Sequence, residues 1–262
     1  MSTFAMHVAK TGLNSQQIKM QVIANNLANV NTTGFKADRA NFESLLYQIL
    51  RGAGDNTSEN TSLTSGLSVG TGTRLLNTSK LHTQGSLINT GNSLDISIEG
   101  DGFFQVLLPD GRVGYTRSGA FSRNAEGMVV TASGYPLQPE ITIPPEALSI
   151  NIASDGIVTV QVPGAVDAEE VGQITLADFP NRQGLQPNGE SMLMESPAGG
   201  APIIAAPFEE GMGRTVQGSL ESSNVNVVQE LVDMIETQRA YEVSSKTITS
   251  VDEMMRYLAQ NV

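Results

Sequence analysis

Apolar residues recur at alternating intervals of three and four over residues 6–30. Met6, Ala9, Leu13, Gln16, Met20, Ile23, Leu27 and Val30 fill these positions, and only Gln16 is polar. This repeat belongs to a helix that packs along a seam. It predicts one helix of ~40 Å, at ~1.5 Å per residue. Asn31-Thr32-Thr33-Gly34 ends it, because glycine after polar turn formers suits a helix stop. A second stripe runs through Leu231, Met234, Tyr241, Ile248, Val251, Met255 and Leu258, in a segment without Pro or Gly from Ser219 onward. Ser222, Ser223 and Asn224 are the candidate caps of this helix. A seven-residue spacing drifts ~20° per heptad on a straight helix, so a left-handed supercoil keeps it facing a partner. The stripes fit amphipathic helices on a globular core, or two helices that pair. Thin apolar content elsewhere favours pairing.

Between the helices the pattern changes to short alternating runs. Residues 94–98, 103–108, 112–117, 128–131, 135–138, 149–153 and 157–162 read as strands. Asp110-Gly111, Asn124 to Gly127, Gly134 and Asp155-Gly156 mark the turns. Turns at about ten-residue intervals predict an antiparallel β domain. The fold class expected is therefore α+β: N- and C-terminal helices pairing as a coiled coil, with a central antiparallel β-rich domain. The boundaries expected are 1–34 for the first helix, 35–84 for a connecting segment with an extended arm, 85–218 for the β-rich domain and 219–262 for the last helix. Residues 52–74 are rich in Gly, Ser, Thr and Asn, which predicts an arm and not a packed element. Phe42, Leu45, Leu46 and Ile49 have helical spacing, and the pattern leaves 35–51 open between helix and extended chain. Two short repeats stand out, one at the two edges of the β domain and one where each terminal helix meets the rest. Gln84-Gly-Ser-Leu87 recurs as Gln217-Gly-Ser-Leu220, and Asn29-Val-Asn31 as Asn224-Val-Asn226. Their placement predicts that the two QGSL segments lie side by side.

Composition narrows the chemistry. The 262 residues contain no cysteine, no tryptophan and two histidines, His7 and His82. That rules out a disulfide framework, a thiol nucleophile and a Cys/His zinc site. No phosphate-binding loop, dinucleotide fingerprint, nucleophile elbow or H-E-x-x-H motif occurs. Neither histidine stands in a triad-like arrangement. Adjacent carboxylates such as Glu169-Glu170 and Glu209-Glu210 read as solvated surface, and the Asp-Gly pairs lack calcium-loop spacing. No catalytic residue, metal site or cofactor is expected. A net charge of −12 argues against nucleic acid. No run is apolar enough to insert in a membrane, and residues 1–20 lack the signature of a cleaved signal peptide. The charge is unevenly spread: residues 1–51 carry +3, residues 221–262 carry −4, and the middle carries the remaining −11.

Three separated motifs then carry a resemblance. Residues 9–13 (AKTGL) and 22–36 (VIANNLANVNTTGFK) resemble the N-terminal signature of the bacterial flagellar rod and hook proteins, with Asn25, Asn26, Asn29, Gly34 and Phe35 as its landmarks. Residues 223–227 (SNVNV), with Asn224 and Asn226, are similar to the C-terminal signature, together with 230–235 and 238–242. Residues 94–106 and 115–121 resemble the family's shared β domain. One departure is Arg123-Asn124, where the family usually has an apolar residue and Asp; Asn also suits that turn. The resemblance spans nearly the whole chain, and its length and arm favour the distal rod subunit over a proximal rod subunit or short hook protein. A secreted β-domain enzyme or binding module is the alternative outside the family.

The resemblance implies a structural subunit, not an enzyme, that polymerises into a helical tubular drive shaft passing torque from the motor to the hook. Met6, Leu13, Met20, Ile23, Leu27 and Val30 then face Leu231, Met234, Tyr241, Ile248, Met255 and Leu258, within a subunit and across to its neighbours. An arm around Ser65, Gly66, Gly70 and Gly72 wedges between subunits. The implied partners are further copies of the chain, proximal rod proteins, the hook protein, the surrounding P- and L-ring proteins and the flagellar export apparatus. The implied location is the periplasm-spanning rod of the basal body, reached by export without a cleaved signal peptide.

Overall fold

The computed structural model describes residues 2–53, 56–58, 61–62, 64–164 and 168–260. The chain divides into two compact units. One comprises Met1–Leu27, Asp38–Ser79 and Asn226–Val262; the other comprises Ala28–Ala37 and Lys80–Val225.

The first unit holds two long helices, α1 (Ser2–Ala28) and α2 (Val227–Gln260), which contact each other where Asn26 Nδ2 donates to Glu230 Oε1 at 3.0 Å. α2 starts at Val227 because Asn226 caps it: Asn226 Oδ1 accepts from the backbone N–H groups of Val228 (3.1 Å) and Gln229 (3.3 Å). The expected caps farther upstream are engaged elsewhere. Ser219–Glu221 is a strand, and the Asn224 side chain bonds the backbone of Ala37 and Leu81.

Between the helices, residues 38–51 are extended. Asp38–Ser44 pairs with Thr73–Lys80, and Tyr47–Arg51 forms an antiparallel hairpin with Leu67–Gly70. Cross-strand partners satisfy backbone groups that the helical spacing of Phe42, Leu45 and Ile49 would have satisfied internally: Leu45 N donates to Gly72 O at 2.9 Å. Residues 67–70 and 73–80 are thus strands, and the extended arm expected over 52–74 has paired strands at its C-terminal end. Gly66 allows the hairpin to form, since a Cβ there would press on Ala53 N and Arg51 O at 2.9 Å.

The second unit is β-rich, and every strand pair with a defined register is antiparallel. Its largest sheet has seven strands, ordered Gln186–Pro187, Met192–Met194, Val113–Thr116, Phe103–Leu107, Leu176–Asp178 and Ile203–Ala205, with Leu137–Gln138 also pairing onto Phe103–Leu107. Successive strand residues point to opposite faces, so Phe104 and Phe103 enter two different cores. Phe104 joins Ile96, Ile98, Val106, Leu137, Ile143 and Leu176 in the main core. Phe103 joins Tyr115, Phe179, Leu185 and Leu193 in a smaller one, where the Tyr115 and Phe179 rings meet edge to face at 4.7 Å between centroids. The predicted turns form through side-chain bonds to backbone. Asp110 Oδ1 accepts from Arg112 N, Asp155 Oδ1 from Ile157 N, and Asn124 Oδ1 from both Glu126 N and Met128 N. Asn124 therefore makes the turn at the position of the sequence departure. Strands beyond residue 162, such as Leu176–Asp178 and Met192–Met194, escaped prediction because most are only two to four residues long, too short to show alternation.

The two QGSL segments do not face each other, because the register is offset: Leu87–Asn89 pairs with Ser219–Glu221, placing Leu87 opposite Glu221 and Ile88 opposite Leu220, while Ser222 N donates to Ser86 O and Thr90 N to Gly218 O. The repeats border one strand pair from its two ends. Each glutamine clamps backbone of the β-rich unit. Gln84 Nε2 donates to Ile98 O and its Oε1 accepts from Gly100 N; Gln217 Oε1 accepts from Ile152 N and its Nε2 donates to Ser93 O and Ile150 O.

Candidate functional site

Two places concentrate the residues that the sequence singled out: the contact of the helices in the first unit, and the root of the second unit where its chain enters and leaves.

On α1, Ile23 is buried and Met6, Leu13, Met20 and Leu27 are half-buried. Val30 lies beyond the helix and packs with Phe35, Ala37 and Val225. The middle residues of the two Asn-Val-Asn repeats, Val30 and Val225, therefore share one cluster. On α2 a continuous half-buried stripe runs through Glu230, Met234, Thr237, Tyr241, Ser244, Ile248, Val251 and Met255, spaced alternately by four and three. Met234, Tyr241, Ile248 and Met255 lie on it; Leu231 is 44% exposed beside it, and the Leu258 side chain lies outside the described residues. Thr237 is the most buried of the described side chains of α2 at 1%, its hydroxyl donating to Asp233 O at 2.6 Å. An apolar search passes over it because the helix itself satisfies its polar group.

Asn26 is the polar centre of the helix contact. It is buried, donates to Asp38 O at 2.9 Å and to Glu230 Oε1, and accepts from Asp38 N at 2.8 Å. Asn25 donates to the Asp38 carboxylate at 3.3 Å. Burial pushes the Glu230 carboxyl above its ordinary pKa, against the Asn26 hydrogen bond that favours its charged form. The arm glycines belong to this unit as well. Gly72 has φ +119 and lies against the Thr11 hydroxyl of α1, whose oxygen accepts from Thr73 N at 3.4 Å. Gly70 faces the Tyr47 ring, and Ser65 is exposed.

The root of the second unit is ionic. Lys36 Nζ lies 2.6 Å from Glu221 Oε1 and 2.8 Å from Thr83 O; Gly85 N donates to the same carboxylate oxygen at 2.8 Å. Arg117 Nη1 stands 3.5 Å from Glu221 Oε2, Nη2 donates to Gly100 O, and the guanidinium lies over the Phe103 ring. Both cations lose affinity for their protons through burial, and the Glu221 charge opposes that loss. Gly34 donates its N–H to Glu221 O at 2.8 Å with φ +67, and a Cβ there would run into the backbone of Arg117 and Ser118. Phe35 is buried, with the Lys80 ammonium over its ring. Asn224 Oδ1 accepts from Ala37 N at 2.7 Å, and its Nδ2 donates to Leu81 O and Thr83 O. Asn29 Oδ1 accepts from the Thr32 hydroxyl in the turn that follows α1. Lys36 comes from the N-terminal motif and Arg117 from the β motif, while Glu221 directly precedes the C-terminal motif, so three distant segments meet on one carboxylate. Sequence reading missed Glu221 and the role of Arg117, because a lone charged residue in a strand resembles solvated surface.

His82, on the same wall, has Nε2 3.1 Å from Arg182 O, and burial followed by the Lys36 charge lowers its pKa to about 4. Arg182 is held by Asp178 and Asp101 at 2.6 Å each. Among the described residues, no group of three or more metal-ligating side chains occurs, and no helix is long and apolar enough to cross a membrane.

Sequence comparison supplies what the geometry alone leaves open. The family model described as Flagella basal body rod protein matches residues 6–36, that of the Flagellar hook protein FlgE/F/G D1 domain matches 97–160, and that of the Flagellar basal body rod FlgEFG protein C-terminal matches 216–261. The flagellar basal-body rod protein FlgG of Buchnera aphidicola (subsp. Schizaphis graminum) is 50% identical over 256 residues, covering 98% of each chain. This chain belongs to the flagellar basal-body rod protein family. The FlgG proteins of Agrobacterium fabrum, 44% identical over 98% of this chain and 99% of that one, and of Bacillus subtilis, 36% identical over 95% of each, extend the similarity across distant bacteria. The three matched regions of the family coincide with α1 and its turn, the heart of the β-rich unit, and α2 with the strand Ser219–Glu221 before it. Its relatives are named as rod proteins, so the buried charges of the root hold structure and are not a reaction centre.

Proposed function

We propose that this chain is a structural subunit of the bacterial flagellar distal rod, in which copies polymerise into a helical tube that carries torque from the motor to the hook. The observation that carries this reading is the pair of long terminal helices in one unit, with an unbroken three-and-four stripe on α2, in a chain whose β-rich unit packs separately. Such stripes suit a coiled-coil pairing of α1 with α2, and heterologous contact between copies builds an open helical filament. In this reading the helices form the inner tube, the β-rich domain the outer layer, and the arm around Ser65, Gly66, Gly70 and Gly72 stiffens the shaft. The partners that follow are other copies, proximal rod and hook proteins at the two ends, the P- and L-ring proteins around the shaft, and the export apparatus that delivers the chain unfolded to the periplasm-spanning basal body. Electron microscopy of the concentrated protein tests the reading: straight tubes are expected, and dispersed particles at all concentrations refute it. Deleting residues 55–70 should leave tubes that curve or flex.

A further inference from the structure

The loop from Asn188 to Ser191 joins Gln186–Pro187, an edge of the seven-stranded sheet, to Met192–Met194. It contains the one Asn-Gly pair of the sequence, Asn188-Gly189. Asparagine is thermally labile because the peptide nitrogen that follows it can attack its carboxamide carbon and close a succinimide ring. A following glycine leaves that nitrogen uncrowded, since it has no Cβ. Both residues are exposed, and nothing lies within 4 Å of where a Gly189 Cβ would stand.

Hydrogen bonding decides whether the attack can be reached. The loop is held at two points: Asn188 N donates to Met192 O at 3.0 Å, and Met192 N donates to Gly189 O at 2.8 Å. Among the described residues, none bonds the Asn188 carboxamide, the Asn188 carbonyl or the Gly189 N–H, so the peptide plane between the two residues is free to turn its nitrogen toward Cγ. Two Asp-Gly turns, which could close the same ring, lack this freedom, because Gly111 N is taken by Leu108 O and Gly156 N by Ala153 O. The carboxamide oxygens of Asn26, Asn124, Asn224 and Asn226 all accept from backbone N–H groups. The loop is also strained: Glu190 and Ser191 hold φ of 50° and 56°, left-handed values that disfavour a residue with a side chain. A longer main chain at this point relieves both.

We propose that Asn188 is a self-modifying site, converted without an enzyme to isoaspartate and aspartate. Gly189 N bonds to Asn188 Cγ, the Cγ–Nδ2 bond breaks, and ammonia leaves with the proton that the Gly189 nitrogen gives up. Water then opens the succinimide. Opening at the main-chain carbonyl yields isoaspartate, whose main chain runs through Cγ and is one methylene longer; opening at Cγ yields aspartate. Either product sets a new carboxylate beside Glu190, and isoaspartate is the one that relaxes the loop. The modified residue is then a substrate for methyl transfer from S-adenosylmethionine to the isoaspartyl carboxylate. The site stands independently of the rod-subunit reading.

The test incubates the full chain beside a synthetic peptide of residues 184–194 in mildly alkaline buffer. Both are then mapped by mass spectrometry and treated with an isoaspartate methyltransferase and labelled S-adenosylmethionine. Position 188 of the folded chain should gain the mass of an amide-to-acid exchange, release ammonia in step and take up label, several-fold ahead of every other asparagine. Asn188→Gln should lose the label and keep the urea-unfolding midpoint of the parent, because its longer side chain closes a ring far less readily. An intact amide at position 188 of the folded chain while the peptide converts, or conversion spread evenly over the asparagines, overturns the site. Conversion to aspartate with no methylation overturns the succinimide route.

Discussion

Lys36 and Glu221, 185 positions apart, hold each other at 2.6 Å with side chains 4% and 0% exposed. The carboxylate is shared with Arg117 and with the N–H of Gly85, so removing it leaves two buried cations with less than a full complement of charge. Glu221→Ala should therefore destabilise the β-rich unit by about 3–5 kcal/mol, the usual consequence of breaking a buried pair on one side. Replacing Lys36 and Glu221 together by Met and Leu should restore much of that loss. Urea unfolding followed by tyrosine fluorescence measures both; a single variant as stable as the parent would show that the pair holds nothing in place.

Gly34→Ala should be worse than its one methyl group implies. The residue needs φ +67, and its missing Cβ leaves room for the Arg117–Ser118 backbone. A loss of about 3 kcal/mol or more is expected where strain and overlap combine. Gly91 has φ +72 but open space around it, so Gly91→Ala should lose only about 1 kcal/mol. Equal losses at the two sites would rule out the steric part of this account.

Acid should weaken the second unit through His82. Its folded pKa of about 4 lies below the unfolded value near 6.5, so the unfolded chain binds the extra proton first. The contribution is fully present above pH ~6.5, is lost progressively as pH falls toward 4, and amounts to about 2–3 kcal/mol. His82→Phe should flatten that part of the profile, read as the midpoint of urea unfolding at pH 7 and pH 4.5. An unchanged slope would locate the acid sensitivity in other groups.

Asn26→Ala should loosen the helix contact selectively. It removes bonds to Asp38 backbone and to Glu230, leaving the half-buried N–H and C=O of Asp38 without the Asn26 partner, at an expected cost of about 1–3 kcal/mol. Hydrogen exchange should quicken along α1 and the first turns of α2, while the β-rich unit keeps its protection. Uniform exchange rates in parent and variant would remove Asn26 from the contact.

Leu27→Asp is expected to abolish tube formation while leaving the β-rich unit folded, since a charge in a buried seam costs several kcal/mol. Circular dichroism reports the fold and electron microscopy the assembly. Normal tubes from this variant would displace the seam from its proposed role.

Periodicity and turn chemistry carried a great deal on their own. Alternating spacings of three and four revealed both helices, and Asp-Gly and Asn124 marked turns of the β-rich unit, because each depends on backbone geometry that neighbouring residues impose locally; the duplicated QGSL only bordered the pair of Leu87–Asn89 with Ser219–Glu221, whose register follows from the tertiary fold. The resemblance of three ordered motifs reached the family. Tertiary structure decided what depends on meetings between remote segments. It turned 38–51 into strands against a helical spacing, since cross-strand hydrogen bonds from 67–80 took up the backbone. It moved the start of α2 to Val227 because Asn224 was already committed to Ala37 and Leu81. It also turned Glu221, one carboxylate among 27 acidic residues, into the buried link between three motifs. Local pattern cannot single out such a residue, for its value lies in the two cations that folding brings to it.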